Sequence, residues 1–304
     1  MKQKRRGLWP LLYGTVLVLF TAYVLLDTFV IPRRYAAVES TSSGTTTAVS
    51  SETAQTTPAA KTTVTADSYD DGTVSIQITT YRVDNTSVYV ADVTLSDPSA
   101  LQTAFAQGTF GKNITQTTSS IAQSAGAILA INGDYYSARS GYVIRNGVLY
   151  RSTSAGNSQE DLVIYADGTF DIVTEGETSA EALLAAGAQQ VLSFGPGLME
   201  DGQVAVTANE EVDQAMTNNP RTAIGMISPL HYVLVVADGR TTQSTGLSLY
   251  QLASFMQELG VQTGYNLDGG GSSTMVFNGT VINQPTTNGK TIAERKVSDI
   301  VCIG

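Results

Sequence analysis

Cysteine and histidine occur only once each in these 304 residues, as Cys302 and His231. A single thiol cannot close a disulfide within the chain, so an exported domain of this kind must depend on its core. Cys302 itself, in the apolar run at residues 300–303, reads as a buried strand residue. A single imidazole excludes a zinc centre built from several histidines. A Ser-His-Asp triad would have to use His231, which opens the apolar strand pattern at 231–236, a place that more often serves structure than catalysis. Positive charge is scarce as well: 17 Lys and Arg stand against 27 Asp and Glu, a formal charge of −10. That balance argues against nucleic acid as a partner. An anionic ligand would need arginines gathered locally against the general field.

One long apolar run is present, at residues 8–31, behind Lys2, Lys4, Arg5 and Arg6. About 20 apolar residues cross a bilayer as one helix, and basic residues ahead of the run hold that end in the cytoplasm. A cleaved signal peptide would want a shorter apolar core and a small-residue exit; here Pro32-Arg33-Arg34 follows. The reading is a basic cytoplasmic head at 1–7, a transmembrane signal anchor at 8–31, a Ser/Thr-rich linker at 32–67 and one outward-facing domain at 68–304. Most of the linker has almost no large apolar side chains and cannot offset the entropy of ordering. It is expected to tether the domain away from a single-pass membrane anchor.

Within the domain, strand signals dominate. Residues 73–83 and 87–95 alternate apolar and polar side chains around Asp84-Asn85. Residues 127–131 are short and wholly apolar, as a central strand would be. Asn146-Gly147, Asp167-Gly168 and Asn278-Gly279 each separate two short strand patterns and predict hairpins. Helices are few. Ser248 and Gln251 form a capping box ahead of the apolar face Leu249, Leu252, Phe255, Met256 and Leu259, and Gly260 ends the helix. Two shorter helices are expected at 178–186 and 117–124. The fold class is therefore α+β, with mixed, mostly antiparallel sheets and a few helices.

Four segments break the ordinary pattern of strand and turn. The first is Asp268-Gly269-Gly270-Gly271-Ser272-Ser273-Thr274, directly after an apolar strand. Glycine permits positive φ and close backbone approach, and three in a row suit a backbone whose N–H groups face an anion. A flexible turn is the plain alternative for any one of them. The second, Asn132-Gly133-Asp134-Tyr135-Tyr136, sets amide and carboxylate groups beside aromatics, as a sugar site does; a strand-end turn would look the same. The third is Pro220-Arg221-Thr222, where the guanidinium can fork onto a phosphate or carboxylate or merely cap a surface. The fourth, Asp238-Gly239-Arg240, would pass alone for a turn. Near the end, Glu294-Arg295-Lys296 offers a second cationic cluster.

Together the stretches INGDYY, GYVIRNGVLY, FGPGLMEDG, NPRTAIG, VVADGR, LDGGGSSTM and ERKVSDIVCIG resemble the phosphodiester glycosidase family, in family order from about residue 127 to the end. The resemblance implies hydrolysis of the anomeric C–O bond of a sugar-1-phosphodiester, with an N-acetylglucosamine-like sugar carried by an envelope glycopolymer or glycoconjugate. Such cleavage passes through an oxocarbenium-like state commonly served by two carboxyl groups, and cationic donors absorb the charge of the departing phosphate. Asp268 is the first choice of carboxylate, with Asp134 or Asp238 as its partner. Arg221, Arg240 and Arg295 are expected on the phosphate, and Asn132 on a sugar hydroxyl. Thr222, Gly269, Gly270, Gly271, Ser272 and Ser273 complete the substrate-binding set. No cofactor is required on this reading. A rival is a phosphodiesterase whose Asp134, Asp238 and Asp268 hold Ca or Mg through oxygen ligands. A different class of rival is a non-catalytic module that grips an envelope glycopolymer.

Overall fold

The structure, a computed structural model, describes residues 9–38, 62–210 and 218–304. The basic head and residues 39–61 of the expected linker lie outside them. Trp9–Phe29 is a helix, and its stretch Leu12–Phe29 is long and apolar enough to cross a membrane. At about 1.5 Å per residue its length is roughly 30 Å, matching a hydrocarbon core. Both ends of the expected linker carry strand: Arg33–Arg34 and Thr63–Val64.

Three sheets build the domain, and every ladder between their strands is antiparallel. The largest has nine strands. Its middle runs Gly197–Glu200, Thr263–Leu267, Arg221–Ser228, His231–Ala237, Thr86–Leu95 and Val74–Val83. The turn between Val74–Val83 and Thr86–Leu95 is made by Asp84 and Asn85, at φ 42° and 59°, the left-handed pair that a two-residue hairpin needs. A five-stranded sheet contains Val143–Arg145, Ala188–Leu192 and Glu160–Tyr165. A second contains Met275–Phe277, Leu129–Asn132, Asp299–Ile303 and Leu101–Phe105.

The period-two pattern decides which side chains go where. Ala91, Val93, Leu234, Val236 and Leu267 point from the nine-stranded sheet into a core shared with Leu162 and Leu192 of one smaller sheet and Leu129, Ile131 and Val301 of the other. Val88, Val90, Val233 and Val235 point the opposite way, onto Leu252, Phe255 and Met256 of the helix Leu249–Glu258. Gly225 and Gly264 face each other across the ladder on that side. The Met256 methyl carbon lies 2.9 and 3.0 Å from where their Cβ atoms would stand, so the two glycines make its seat. The capping box at Ser248 and Gln251 is formed. The other two helices are Ala180–Ala185 and Thr118–Ala125, the latter ended by left-handed Gly126 at φ 70°.

Candidate active site

Three motif segments leave the nine-stranded sheet at one end because their strands are neighbours in register. Arg221 pairs with Ala237, and Thr222 with Leu267. Arg221, Asp238 and Asp268 therefore arrive side by side from three adjacent strands. The strand Leu129–Asn132 meets them from the second five-stranded sheet: the Asp268 N–H donates to the Gly133 carbonyl at 3.2 Å. This convergence makes a cavity of about 160 Å³, lined by Asp268, Gly269 and Gly270 together with Arg221, Arg240 and Arg295. Phe194, Asn219, Asn266 and Leu267 complete its wall.

Each charged group in the wall is held in place. Arg221 is buried, with its Nε donating to the Leu247 carbonyl at 2.9 Å. Arg240 takes a left-handed backbone at φ 63°. Its Nε and Nη2 donate to Asn219 Oδ1 at 3.3 and 3.2 Å, and Nη1 donates to the Thr287 carbonyl at 2.7 Å. Burial, then the neighbouring positive charge of Arg295, lowers the Arg240 pKa. An anion between the two guanidinium groups would relieve that repulsion. Arg295 donates from Nε to Ser272 Oγ at 2.9 Å and from Nη2 to the Asp268 carboxylate oxygens at 3.3 and 3.4 Å. Asp268 is 7% exposed. Burial raises its pKa, opposed by Arg295, by the Ser272 hydroxyl and by the charge of Arg139.

The glycine run has a second use besides the one its sequence suggests. The Gly270 N–H donates to the Pro220 carbonyl at 2.8 Å, and the Ser272 and Ser273 N–H groups close the short turn Gly270–Ser272 on Gly269 and Gly270. Those three donors are spent on carbonyls of the protein instead of facing an anion. What glycine supplies is room: a Cβ at Gly269 would stand 2.8 Å from the Pro220 carbonyl oxygen, one at Gly270 2.9 Å from Arg240 Nη2, and one at Gly271 2.3 Å from Thr287 Oγ1. The bare backbone lets Pro220, Arg240 and Thr287 close around the cavity. Ser273 is fully buried and lies outside the wall, whereas Ser272 acts through Asp268 and Arg295.

Four other expected positions are not brought to the cavity. Asn132 is completely buried; its Nδ2 donates to the Asp268 carbonyl at 2.6 Å, and its Oδ1 accepts from Thr222 Oγ1 at 2.8 Å and from the Thr274 N–H at 3.2 Å. It and Thr222 staple the loop from behind and have no side-chain group left for a sugar. Asp134 is also completely buried, accepting from Arg145 Nη2 and the Ser193 N–H, each at 2.8 Å, and from the Tyr136 N–H at 3.1 Å. Arg145 reaches Asp299 as well, at 2.9 Å, so Asp134 belongs to an internal ion cluster. Asp238 accepts from Asn283 Nδ2 at 3.0 Å and the Gln284 N–H at 2.9 Å, which fixes the 283–284 loop. The three aspartates weighed as a Ca or Mg site therefore do not meet. Among the described residues no three His, Cys, Asp or Glu side chains gather as a metal cluster. His231 sits at the sheet surface beside Asp92, 2.9 Å away, outside the cavity wall.

A family model described as phosphodiester glycosidase matches residues 125–304, more than half of the chain and every segment of this cavity. The chain belongs to the phosphodiester glycosidase family. Similar proteins include the N-acetylglucosamine-1-phosphodiester alpha-N-acetylglucosaminidases of mouse and human, each 31% identical over 62% of this chain. An uncharacterized SPbeta prophage-derived protein of Bacillus subtilis is 30% identical over 64% of it. This glycosidase-family chain spans 30–39% of the length of those relatives. The solved catalytic domain of the zebrafish N-acetylglucosamine-1-phosphodiester alpha-N-acetylglucosaminidase superposes with a TM-score of 0.60 at 23% identity, covering 76% of this chain and 82% of its own, and shares the fold.

Sequence reasoning passed over several residues of this family member's cavity. Phe194, Asn219 and Asn266 line it. Arg139 lies with its guanidinium carbon 4.0 Å over the Phe194 ring centroid, and its charge reaches Asp268. Asn219 opens the quoted motif NPRTAIG and Asn266 directly precedes LDGGGSSTM, which is the signal that could have found them. Phe194 likewise opens the quoted stretch FGPGLMEDG, whereas nothing local marks Arg139.

Proposed function

We propose that the domain hydrolyses the anomeric C–O bond of a glycosyl phosphodiester, with an N-acetylglucosamine-like sugar, on the outer side of a membrane to which its N-terminal helix anchors it. The observation that carries this reading is the meeting of Asp268 with Arg221, Arg240 and Arg295 in one cavity. The names of the mouse and human relatives support the sugar and the bond. A buried carboxylate whose pKa is pushed up inside a concave wall fits catalysis better than a flat binding surface.

In this mechanism the phosphate lies between Arg240 and Arg295, and the sugar ring lies along Phe194 with its anomeric carbon facing Asp268. The anomeric C–O bond breaks and its electron pair leaves with the phosphate, where the guanidinium groups stabilise the growing charge. A phosphate is a good leaving group and needs little acid assistance. Positive charge on the sugar is stabilised by the Asp268 carboxylate, which also takes a proton from the attacking water. Water supplies the new hydroxyl of the sugar, and the phosphate departs as a monoester. Asp268 stands alone in this role among the described residues of the wall.

The test uses the full chain in detergent with a soluble N-acetylglucosamine-1-phosphodiester and analyses both products. Free reducing sugar and a phosphate monoester are expected. Asp268→Asn should lower kcat by about 10²–10⁴-fold, the usual worth of a positioned base, with thermal unfolding unchanged or improved. Sugar phosphate as the product, or full hydrolysis by a folded Asp268→Asn, overturns the reading.

A further inference from the structure

We propose that residues 33–38 strap the domain onto the end of the anchor helix, so that it sits flush on the bilayer and takes a glycosyl phosphodiester carried by a membrane lipid. The substrate half of this proposal rests on the glycosidase reading above.

The strap is built from backbone bonds. Arg33–Arg34 pairs antiparallel with Gly111–Lys112. The Tyr35 N–H then donates to the Phe110 carbonyl at 3.0 Å, and the Val38 N–H to the Leu149 carbonyl at 2.8 Å. The Tyr35 ring lies 5.9 Å from Phe110, which stacks on Tyr136 at 4.9 Å. A Cβ at position 111 would stand 1.9 Å from the Arg33 carbonyl oxygen, so only glycine admits the strap at this distance.

From the other side, Asn113 Nδ2 donates to the carbonyls of Thr28 and Ile31, at 3.3 and 3.1 Å. A loop of the domain is thereby bonded to the last turn of the helix, where the apolar stretch ends at Phe29. If that stretch fills the hydrocarbon layer, residues 111–113 lie among the headgroups. Arg34 and Lys112 are basic side chains at this junction suited to lipid phosphates, while Arg33 pairs with Asp27 of the helix and adds to the seat. The 39–61 segment cannot be the spacer between helix and domain, because the residues on both sides of it, Val38 and Thr63–Val64, are bonded into the domain.

The strap also leads to the cavity. The Gly111 N–H donates to Tyr136 Oη at 3.2 Å, and Gly133, three residues earlier, accepts from the Asp268 N–H at 3.2 Å. Summed along these bonds the path is at most about 30 Å, with 3.8 Å between successive Cα atoms, and the straight line is shorter. A site held that close to the headgroups is placed for molecules anchored in the bilayer, not for a polymer far out in the envelope.

The experiment reconstitutes the full chain in vesicles and labels Lys112→Cys with a fluorophore; Cys302 is buried and stays unlabelled. Vesicles contain lipids with a quencher on the headgroup. A second protein carries a 20-residue Gly/Ser insertion between Ile31 and Pro32 (about 25 Å of average reach), which leaves the strap in place but frees the domain from the helix. The proposal expects at least a threefold loss of quenching on insertion. It also expects a several-fold fall in hydrolysis of a lipid-anchored glycosyl phosphodiester, with the rate on a soluble analogue unchanged. Equal quenching in the two proteins overturns the seat, and an unchanged lipid-substrate rate, or a preference for a soluble polymer, overturns the substrate class. Failure of both proteins to cleave the soluble analogue would instead defeat the glycosidase reading, while the quenching still decides the seat.

Discussion

Replacing Arg295 by glutamine separates two effects that one guanidinium exerts at the cavity. It stands 3.3 and 3.4 Å from the oxygens of Asp268, and it is the first of the groups that oppose the rise of the Asp268 pKa caused by burial. Without it, that pKa moves further up. Asp268 works as the ionised base, so activity is lost as pH falls through its pKa, and the acid limb of the kcat/KM profile must shift to higher pH. The second effect is on the plateau. A charge-assisted hydrogen bond to the departing phosphate contributes about 1.5–3 kcal/mol. The Arg295 side chain is 41% exposed, and solvent screening places it at the lower end. A loss of about 1.5 kcal/mol is roughly tenfold in rate. The assay is a pH–rate profile on a soluble sugar-1-phosphodiester, with circular dichroism as the control for folding. A plateau that falls while the acid limb stays put would refute the pairing of Asp268 with Arg295 as the source of that limb.

Three further outcomes follow from the interior. Arg145→Met removes the cation shared by buried Asp134 and Asp299 and should cost about 3–5 kcal/mol, read as a large fall in the urea midpoint. Asp161 is fully buried, and burial followed by adjacent Glu175 holds its pKa up at about 9. The folded chain thus keeps a proton that the unfolded chain releases above about pH 4, so this group's stability is fullest below pH 4 and is lost as pH climbs towards 9. Asp161→Asn should raise stability by roughly 2–5 kcal/mol at pH 8 and by little at pH 4, checked by urea titrations at both values. Gly271→Ala must push back the Thr287 hydroxyl, 2.3 Å from the new Cβ. It should destabilise by about 1–3 kcal/mol and lower kcat through displacement of the loop, measured by calorimetry and kinetics on one preparation.

Much of the fold can be read locally. Alternation along Val74–Val83 and Thr86–Leu95 tells which side chains face the core, and Asp84-Asn85 marks their turn. The Ser248 and Gln251 box starts its helix where expected. Leu101–Phe105 and Ala188–Leu192 escape notice because polar Gln102, Thr103, Gln189 and Gln190 interrupt their apolar pattern. The structure explains part of that polarity: Thr103 Oγ1 donates to Gln190 Oε1 at 2.8 Å inside the domain. The meeting of Asp268, Arg221, Arg240 and Arg295 in one candidate cavity was legible, since motif positions mark them. The roles of Asn132, Asp134 and Asp238 were not, because a buried staple, an ion cluster and a loop clamp use the same residue types as a sugar site. Partner choice decides between them, and partners such as Arg145 and Asn283 come from distant strands and loops. Arg139 likewise reaches Asp268 from its stack on Phe194, a contact between loops that no spacing along the chain encodes. The linker reading misses the strap for a related reason: Arg33–Arg34 has no strand pattern of its own and is ordered by the edge it pairs with.

The sharpest measurement is hydrolysis of a sugar-1-phosphodiester by the full chain in ¹⁸O-labelled water, followed by mass spectrometry of both products. Attack at the anomeric carbon above Asp268 puts the label in the released sugar and none in the phosphate monoester. Label in the phosphate would mean that the P–O bond breaks, contradicting the roles given to Asp268 and the three arginines.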